Sequence, residues 1–409
     1  MDTEKLLDYA RLVVRKGINV EKDDVVFINT TLDQPDFVNM VVEEAYKAGA
    51  KKVEVFYSDN NKERLDYKYC NEKTLSEMPS YVLEKYKYMV KFNPCFLWLD
   101  GDDPDKFNGL DIEKITKSSI AIRKIAKPFR DKIDGKRKWC IAAIPSPKWA
   151  AKVFPKIKDN KVAVEKLWNA ILKTSRVDGK NACANWDRHN KDLIEKRKKL
   201  EKMNLKSLHY KSKNGTDFKV ELINGLCWGG GVEKSSLGKT FNPNIPSEEV
   251  FTSPYKGKIE GIVFATKPLA YEGNLIEQFG FEFKDGKVSR VFAKKGKELL
   301  EKMISYDEGS KMLGEVALVP FDSPINNTEI LFYNTLFDEN ACCHLALGAS
   351  FKELLKGGEK YTVKEATKFG LNDSMIHVDF MIGSKDLEIV GEDFKGKKYQ
   401  IFKKGNWAF

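Results

Sequence analysis

The residues with the clearest capacity for chemistry lie near the C-terminus, where two of the four histidines stand among acids. His344 ends the acid-containing segment 338–344, and His377 is followed two residues later by Asp379. Imidazole nitrogens and carboxylates together are the donors that a hydrolytic site for divalent metal ions uses. The other two histidines lie in lysine-rich segments. The pattern therefore indicates a metal centre in the C-terminal half.

Two acidic segments upstream offer further donors. Glu248 and Glu249 open an apolar segment after two prolines, and Glu315 stands at the head of an apolar strand. A carboxylate buried alone is costly, so Glu315 must be exposed at the strand end or paired with a cation. A metal ion would satisfy it.

The spacing of the late residues suits a shared site. On a strand, His377 and Asp379 would point to the same face, because side chains alternate with a period of two. Glu339 and His344 are five residues apart, which would let both reach one centre from a turn leading into a short helix. We therefore expect these four side chains to converge.

Several carboxylates with two imidazoles favour a pair of divalent ions about 3.5–4 Å apart, bridged by a carboxylate and a water. Such ions lower the pKa of the water and polarise a carbonyl, which suits amide hydrolysis. Nucleophilic catalysis is poorly supported because the sequence has no GxSxG. Cys342 and Cys343 adjoin His344, but sequence neighbours rarely form a catalytic pair, and small buried cysteines explain them better.

Composition limits the other classes of function. A chain of 409 residues favours two domains, and its net charge of +10 comes from dispersed lysines, which favours a solvated surface over nucleic-acid binding. Seven cysteines without a CxxC pair argue against a disulfide-stapled secreted fold. The sequence shows no signal segment and no apolar run of roughly 18 residues. We therefore expect a cytoplasmic protein that does not enter a membrane.

The first half of the sequence alternates between helical and strand patterns. Thr3 is predicted to cap a first helix that ends near Gly17. Helices are also expected over 35–48 and 112–125, and apolar strands over 25–28, 53–57, 95–99 and 140–144. This alternation predicts an α/β N-terminal domain with a mainly parallel sheet. No glycine-rich turn follows the first strand, so a nucleotide site is not supported.

The second half has the pattern of antiparallel strands. Asn214-Gly215 and Asp285-Gly286 are hairpin signals between alternating segments, and another hairpin is expected near the C-terminus. Helices are predicted over 297–304 and 362–369. We therefore expect an α/β domain over residues 1–195, followed over 196–409 by an α+β domain with a largely antiparallel sheet that carries the metal site.

Taken in order, these segments resemble the M29 family of metallo-aminopeptidases, the aminopeptidase T group. The resemblance is carried by N244-I-P-S-E-E-V-F-T252, G314-E-V-A-L-V319, L336-F-D-E-N340, H344-L-A-L-G348 and H377-V-D-F-M-I-G383. The N-terminal segments around Gly17 and Gly49 are also similar to the family, so the likeness covers nearly the whole chain.

The resemblance implies a cytoplasmic, homodimeric exopeptidase that removes N-terminal residues from peptides with two divalent ions, zinc, cobalt or manganese. The metal ligands that it implies are Glu249, Glu315, His344, His377 and Asp379. Glu339 matches a further acidic site residue and is included among the predicted metal-site residues. Glu315 is expected to bridge the ions, and Glu249 or Glu339 to move the proton. The catalytic residues predicted are thus Glu315 and Glu249.

One residue departs from the family pattern. Phe351 stands where the family usually has a tyrosine, seven residues after the first site histidine. A phenol can ligate a metal or stabilise an oxyanion, and a phenyl ring can do neither. The alternative hypothesis is therefore a homologue of lost or altered activity that still binds metal or peptide.

Overall fold

The computed structural model describes residues 2–271 and 273–409, which fold into two compact units. One unit holds the chain up to Arg188 together with Val232–Pro246, and the other holds His189–Gly231 and Ser247–Phe409. The first unit thus ends at Arg188, within a helix, whereas the sequence predicted the boundary after residue 195. The segment Val232–Pro246 returns to the first unit because it carries a strand of that unit's sheet.

The helices and strands account for both units. The α-helices are α1 Thr3–Leu12, α2 Pro35–Lys47, α3 Asn60–Tyr69, α4 Glu72–Ser76, α5 Ser80–Phe92, α6 Ile112–Ile133, α7 Pro147–Val153, α8 Asn160–Thr174, α9 Ala182–Met203, α10 Lys297–Ile304, α11 Thr335–Asp338 and α12 Val363–Ala366. The strands are β1 Val25–Thr31, β2 Lys52–Ser58, β3 Cys95–Asp100, β4 Trp139–Ala143, β5 Leu205–Lys211, β6 Asp217–Leu222, β7 Glu233–Lys234, β8 Thr240–Phe241, β9 Asn244–Ile245, β10 Val250–Thr252, β11 Pro254–Phe264, β12 Leu269–Tyr271, β13 Asn274–Lys284, β14 Lys287–Lys295, β15 Leu313–Leu318, β16 His344–Gly348, β17 His377–Met381, β18 Glu388–Asp393, β19 Lys398–Lys403 and β20 Asn406–Trp407.

A five-stranded parallel sheet forms the centre of the first unit, in the order β2-β1-β3-β4-β9. Its inner strands are apolar and buried, with Ile28 and Leu97 fully inaccessible. Strands buried on both faces are expected in such a sheet because helices connect parallel strands and cover both sides. The predicted α/β class of the N-terminal part is confirmed.

Two antiparallel sheets build the second unit. The larger runs β12-β13-β11-β6-β5-β18-β19-β20 with β14 beside β13, and the smaller runs β10-β15-β16-β17. Side chains from both sheets share one apolar core, in which the rings of Phe281 and Phe380 lie 5.1 Å apart between centroids. The predicted α+β class with a largely antiparallel sheet is confirmed. The four-stranded sheet carries Glu315, His344, His377 and Asp379.

Several local predictions can be compared with these elements. All three predicted hairpins form: β5–β6 around Asn214-Gly215, β13–β14 around Asp285-Gly286, and β18–β19 near the C-terminus. The Thr3 cap is wrong, because the Asp2 carboxylate accepts from the backbone N–H groups of Glu4 and Lys5 and so caps α1. The lysine-rich segment of the middle of the chain forms α9. Among the helices described, none is long and apolar enough to cross a bilayer.

Candidate metal centre

The candidate site lies on one face of the four-stranded sheet. Side chains alternate along each strand, so Val316 on β15 and Leu345 and Leu347 on β16 enter the apolar core from the other face. The residues between them then point away from the core. That second face carries Glu315, His344, Ala346, His377 and Asp379.

The register of the sheet places a small residue at the middle of this face. Ala346 on β16 pairs with Glu315 on β15 and with Asp379 on β17. Residues directly opposite in neighbouring antiparallel strands share a face. The two carboxylates therefore flank a methyl group instead of a large side chain, which leaves space between them. Gly348 likewise pairs with His377.

Gly314 allows the chain to approach the site closely just before Glu315. The pairing of β15 and β16 shifts between Leu313 and Glu315, which marks a bulge. A Cβ atom at Gly314 would lie 2.1 Å from the carbonyl oxygen of Ala349, so no larger residue fits there. The bulge brings Leu313 to the core and Glu315 to the opposite face.

Three donors form a first group, Glu249, Glu315 and His344, with ligand atoms that all lie within 4.8 Å of one another. Glu249 immediately precedes β10, and His344 is the first residue of β16. The Nε2 atom of His344 lies 3.2 Å from Oε2 of Glu249. All three residues are buried.

The second group consists of Glu315, His377 and Asp379, again within 4.8 Å of one another. Nε2 of His377 lies 3.1 Å from Oε2 of Glu315 and 3.4 Å from Oδ1 of Asp379. Its Nδ1 donates to the carbonyl oxygen of Ala349 at 2.8 Å. Because a carbonyl only accepts, this bond fixes Nδ1 as a donor and directs Nε2 to the carboxylates. Metal-binding histidines commonly donate their other ring N–H to a carbonyl in this way. Glu315 belongs to both groups.

Glu339 lies beside these groups and belongs to neither. Its carboxyl group is hydrogen-bonded to that of Asp379, and Nδ2 of Asn340 donates to its Oε1 at 3.3 Å. The expected order of elements is wrong here: the short helix α11 comes first, Glu339 follows in a 3₁₀ turn, and His344 already begins β16. Cys342 has an extended backbone conformation, so it ends the turn and leads the chain into β16.

Burial and mutual repulsion disturb the carboxyl groups of the site. Burial, helped by Asp379 and Glu249 and opposed by His377, raises the pKa of Glu315 to about 7. Burial likewise raises the pKa of Glu339 well above its usual range, and nearby carboxylates add to the effect. These groups hold protons more tightly than free carboxylates because burial disfavours the charged form and neighbouring carboxylates add negative charge.

The same negative charge also raises the pKa of the two histidines, against the effect of burial. Burial lowers the pKa of His344, but the Glu249 carboxylate outweighs it and raises the pKa to about 10. Asp379 and Glu315 similarly outweigh burial at His377 and hold its pKa well above the usual range. Burial would raise the pKa of Asp379, but its ion pair with His377 and the charge of His344 leave that pKa below the usual range.

The residues present fit divalent metal ions. Among the described residues, the ion pairs made by Glu249, Glu315 and Asp379 involve only the two histidines, with no lysine or arginine. Oδ1 of Asp379 is buried and accepts no hydrogen bond. Buried carboxylates without sufficient counter-charge need a cation. A mixed set of carboxylate and imidazole ligands is one with which hydrolases bind divalent metal ions.

Two further residues that the sequence singled out differ in position: Glu248 lies outside both donor groups, and Phe351 lies at the site. Glu248 points elsewhere, with Oε2 3.9 Å from Nε2 of His189, and thus is not part of either group. Its backbone N–H donates to the side chain of Asn340. The ring of Phe351 lies at the site, 5.0 Å from the His377 ring and 5.2 Å from that of Phe251 between centroids.

Sequence reasoning missed the residues that shape the site without ligating. Ala346 provides the gap, and Ala349 orients His377 through its backbone. The alternation of His344, Ala346 and Gly348 on one face was a visible signal for the gap. A backbone acceptor has no sequence signal, because every residue carries one.

The chain is similar over nearly its whole length to known proteins. The profile of the family described as thermophilic metalloprotease (M29) matches residues 2–407. Aminopeptidase AmpS of Bacillus subtilis (strain 168) is 40% identical over 408 residues, which cover 100% of this chain and 99% of that protein. Aminopeptidase 2 of Geobacillus stearothermophilus is 39% identical over 408 residues, 99% of this chain and 98% of that protein.

The fold is also that of a solved relative. The structure of wild-type AmpT from Thermus thermophilus aligns with a TM-score of 0.91 at 36% identity, covering 100% of both chains. Sequence and fold therefore agree over the full length of the chain. The chain belongs to the thermophilic metalloprotease (M29) family.

Proposed function

We propose that this protein is a metal-dependent aminopeptidase that hydrolyses the first peptide bond of peptides at a centre of two divalent ions. The observation that carries the proposal is the pair of donor groups that share Glu315 on one sheet face. Relatives that match the whole chain are named aminopeptidases, which supports peptides with a free N-terminus as substrates.

The ligands follow from the two groups. Glu249 and His344 would hold one ion, His377 and Asp379 would hold the other, and Glu315 would serve both. The gap above Ala346 lies between these donors. Zinc, cobalt and manganese all accept mixed carboxylate and imidazole sets, so supply as well as affinity decides which is bound.

Bound divalent ions would supply Lewis acidity, lowering the pKa of a water molecule and polarising the carbonyl of the scissile bond. The chain's own residues supply proton movement. Glu339 supports this role best, because it lies outside both ligand groups, contacts Asp379 and has a pKa raised by burial. Glu249 is the alternative, since its Oε2 lies beside His344.

The activity and its metal dependence are directly testable. Leucyl-p-nitroanilide should be cleaved after Co²⁺, Mn²⁺ or Zn²⁺ is returned to chelated protein, and the N-acetylated substrate should not be. Glu315→Gln should lower kcat/KM at least about 100-fold even with metal fully supplied, because one carboxylate serves both groups. Activity of this variant equal to wild type would overturn the mechanism.

A second candidate function comes from Phe351. Its ring occupies the site beside His377, where the family resemblance implies a tyrosine. A protein without that phenol could retain metal or peptide binding and lack turnover. Absence of aminoacyl-nitroanilide cleavage at every metal concentration, with metal bound, would favour this candidate over the aminopeptidase.

The homodimeric state and the cytoplasmic location stay predictions. Sedimentation of the purified protein over a range of concentrations tests the first, and fractionation of cells that produce it tests the second. Binding to nucleic acid is not expected, and a titration with single-stranded and duplex DNA should show no steeply salt-dependent affinity.

A further inference from the structure

The outer edge of β17 carries main-chain groups that no described strand pairs with. β17 is the last strand of the four-stranded sheet, beside β16. The N–H of Ala349 donates to the carbonyl oxygen of Ile376 at 2.8 Å. Such bonds recur at every second residue of an antiparallel pair, so the even-numbered residues of β17 bond to β16. The N–H and C=O groups of His377 and Asp379 therefore point outward, and we call these four groups the open edge.

The main chain on either side of the open edge is already hydrogen-bonded. At one end the carbonyl oxygen of Met381 accepts from the backbone N–H of Thr266 at 2.8 Å, so this odd-numbered residue does face outward. Just before the strand, the N–H of Met375 donates to Oδ2 of Asp307 at 2.7 Å. Between these points the open edge has no hydrogen-bond partner among the described residues. It extends about 7 Å between its two residues, which suits a short peptide segment better than a strand of another sheet.

The open edge is accessible to a ligand. His377 is exposed as a residue although its side chain is only 28% exposed, so much of its exposed surface is main chain. Unpaired N–H and C=O groups on a strand edge form a template for another extended chain, and many proteins bind peptides in this way. The main chain of a peptide supplies the matching donors and acceptors whatever its side chains are. The open edge therefore suits an extended peptide of varied sequence.

The two residues of the open edge also carry donors of the candidate metal centre. The side chains of His377 and Asp379 form one donor group with Glu315. A peptide on the open edge would therefore run directly past that centre. Four carboxyl groups lie together there, and they attract the positively charged α-amino group of a peptide. This attraction would place the N-terminal residue at the metal centre and the residues that follow it along the edge.

We propose that the open edge of β17 binds the main chain of the substrate peptide as an added strand, through the residues that follow the first peptide bond. This proposal rests on the proposed aminopeptidase function. Recognition through main-chain hydrogen bonds favours peptides of several residues over single aminoacyl groups and tolerates varied side chains after the first residue. Each such hydrogen bond is worth about a fivefold gain in affinity.

Calorimetry with three peptides tests the proposal on the metal-loaded wild-type protein. The parent peptide is Leu-Ala-Ala-Ala amide with its first peptide bond reduced to CH2–NH, which cannot be hydrolysed. The other two are isomers that carry one N-methyl group, on the third or on the fourth residue, so each is the matched control for the other. Successive N–H groups of an extended chain point in opposite directions, so only one isomer loses a bond to the edge. We expect that isomer to bind at least about fivefold more weakly than the parent, and the other within about twofold of it.

Hydrogen exchange of the main-chain amides locates the bound peptide. The N–H groups of His377 and Asp379 should exchange rapidly in the metal-loaded protein, and at least about tenfold more slowly once the parent peptide is bound. The N–H groups of Val378 and Phe380 point to β16 and should exchange slowly in both states, which makes them the internal control.

The outcomes separate this proposal from the proposed function. Equal affinities of the two N-methyl isomers, no binding of the parent peptide, or unchanged exchange at His377 and Asp379 would overturn the proposal. Slow exchange of these amides that increases with protein concentration in the absence of peptide would also overturn it, because a second copy of the chain would then cover the edge. None of these measurements requires turnover. Failure of the wild type to cleave any aminoacyl substrate would instead contradict the aminopeptidase function.

Discussion

At the scale of single residues, the site distinguishes two adjacent glutamates that look alike in the sequence. Glu249 faces His344, and Glu248 faces His189. The assignment of Glu249 came from family resemblance, since composition and spacing alone allowed either residue. Only the fold shows the difference, because the two side chains leave the chain in opposite directions just before β10.

This difference predicts unequal effects of one chemical change. Glu249→Gln should weaken binding of Zn²⁺ or Co²⁺ at least about tenfold, since even partners of ligands contribute that much. Glu248→Gln should leave the affinity near that of wild type. Calorimetric titration of both chelated variants measures this. Equal losses in the two variants would refute the ligand assignment.

Phe351 leads to a second prediction at this scale. Phe351→Tyr places a hydroxyl near the metal centre, and we expect kcat to rise by about 100-fold, the size of one oxyanion donor. Phe251→Tyr adds a hydroxyl to the neighbouring ring and serves as the control. Metal content should stay the same in both variants. An unchanged kcat in Phe351→Tyr would show that the missing phenol does not limit the enzyme.

At the scale of elements, local patterns in the sequence predicted strands and hairpins but not the order of the strands in the sheets. The alternation of His377 and Asp379 correctly placed both on one face, and Asn214-Gly215 correctly marked a hairpin. Which strand lies beside which depends on contacts distant in sequence, so the position of Ala346 between two carboxylates could not be derived. The sequence predicted Glu339 in a turn that leads into a short helix, but Glu339 instead follows a helix. That prediction was wrong because the helix is only one turn long.

The gap above Ala346 predicts the effect of a larger side chain. Ala346→Val keeps a residue suited to strands but fills the space between Glu315 and Asp379. We expect the variant to fold and to lose the rise in Tm that metal ions give the wild type. Ala293→Val makes the same change on β14, away from the site, and should retain that rise. Full metal stabilisation of Ala346→Val would contradict the proposed position of the ions.

At the scale of the whole molecule, the sequence predicted both fold classes and the M29 family, and with it a metal-dependent peptide-bond hydrolase. The return of Val232–Pro246 to the first unit had no signal, because β9 contributes only two residues to the parallel sheet. The site is acidic although the chain as a whole is basic: the net charge of the chain is +10, and four carboxyl groups lie together in one centre.

That concentration of charge predicts coupling between metal ions and protons. Near pH 7 the metal-free protein holds protons on His344, with a pKa of about 10, and in part on Glu315, with a pKa of about 7. Metal binding requires these groups unprotonated, so it should release protons, and affinity should rise between pH 6 and 8. Calorimetry in two buffers of different ionisation enthalpy measures the release. Equal heats in the two buffers would contradict the account.

The most direct test is the number of metal ions that each chain binds, measured together with cleavage of leucyl-p-nitroanilide as Co²⁺ or Zn²⁺ is added back to chelated protein. The two donor groups that share Glu315 predict two ions per chain and no cleavage in their absence. Full cleavage by metal-free protein, or saturation of cleavage without bound metal, would contradict the account.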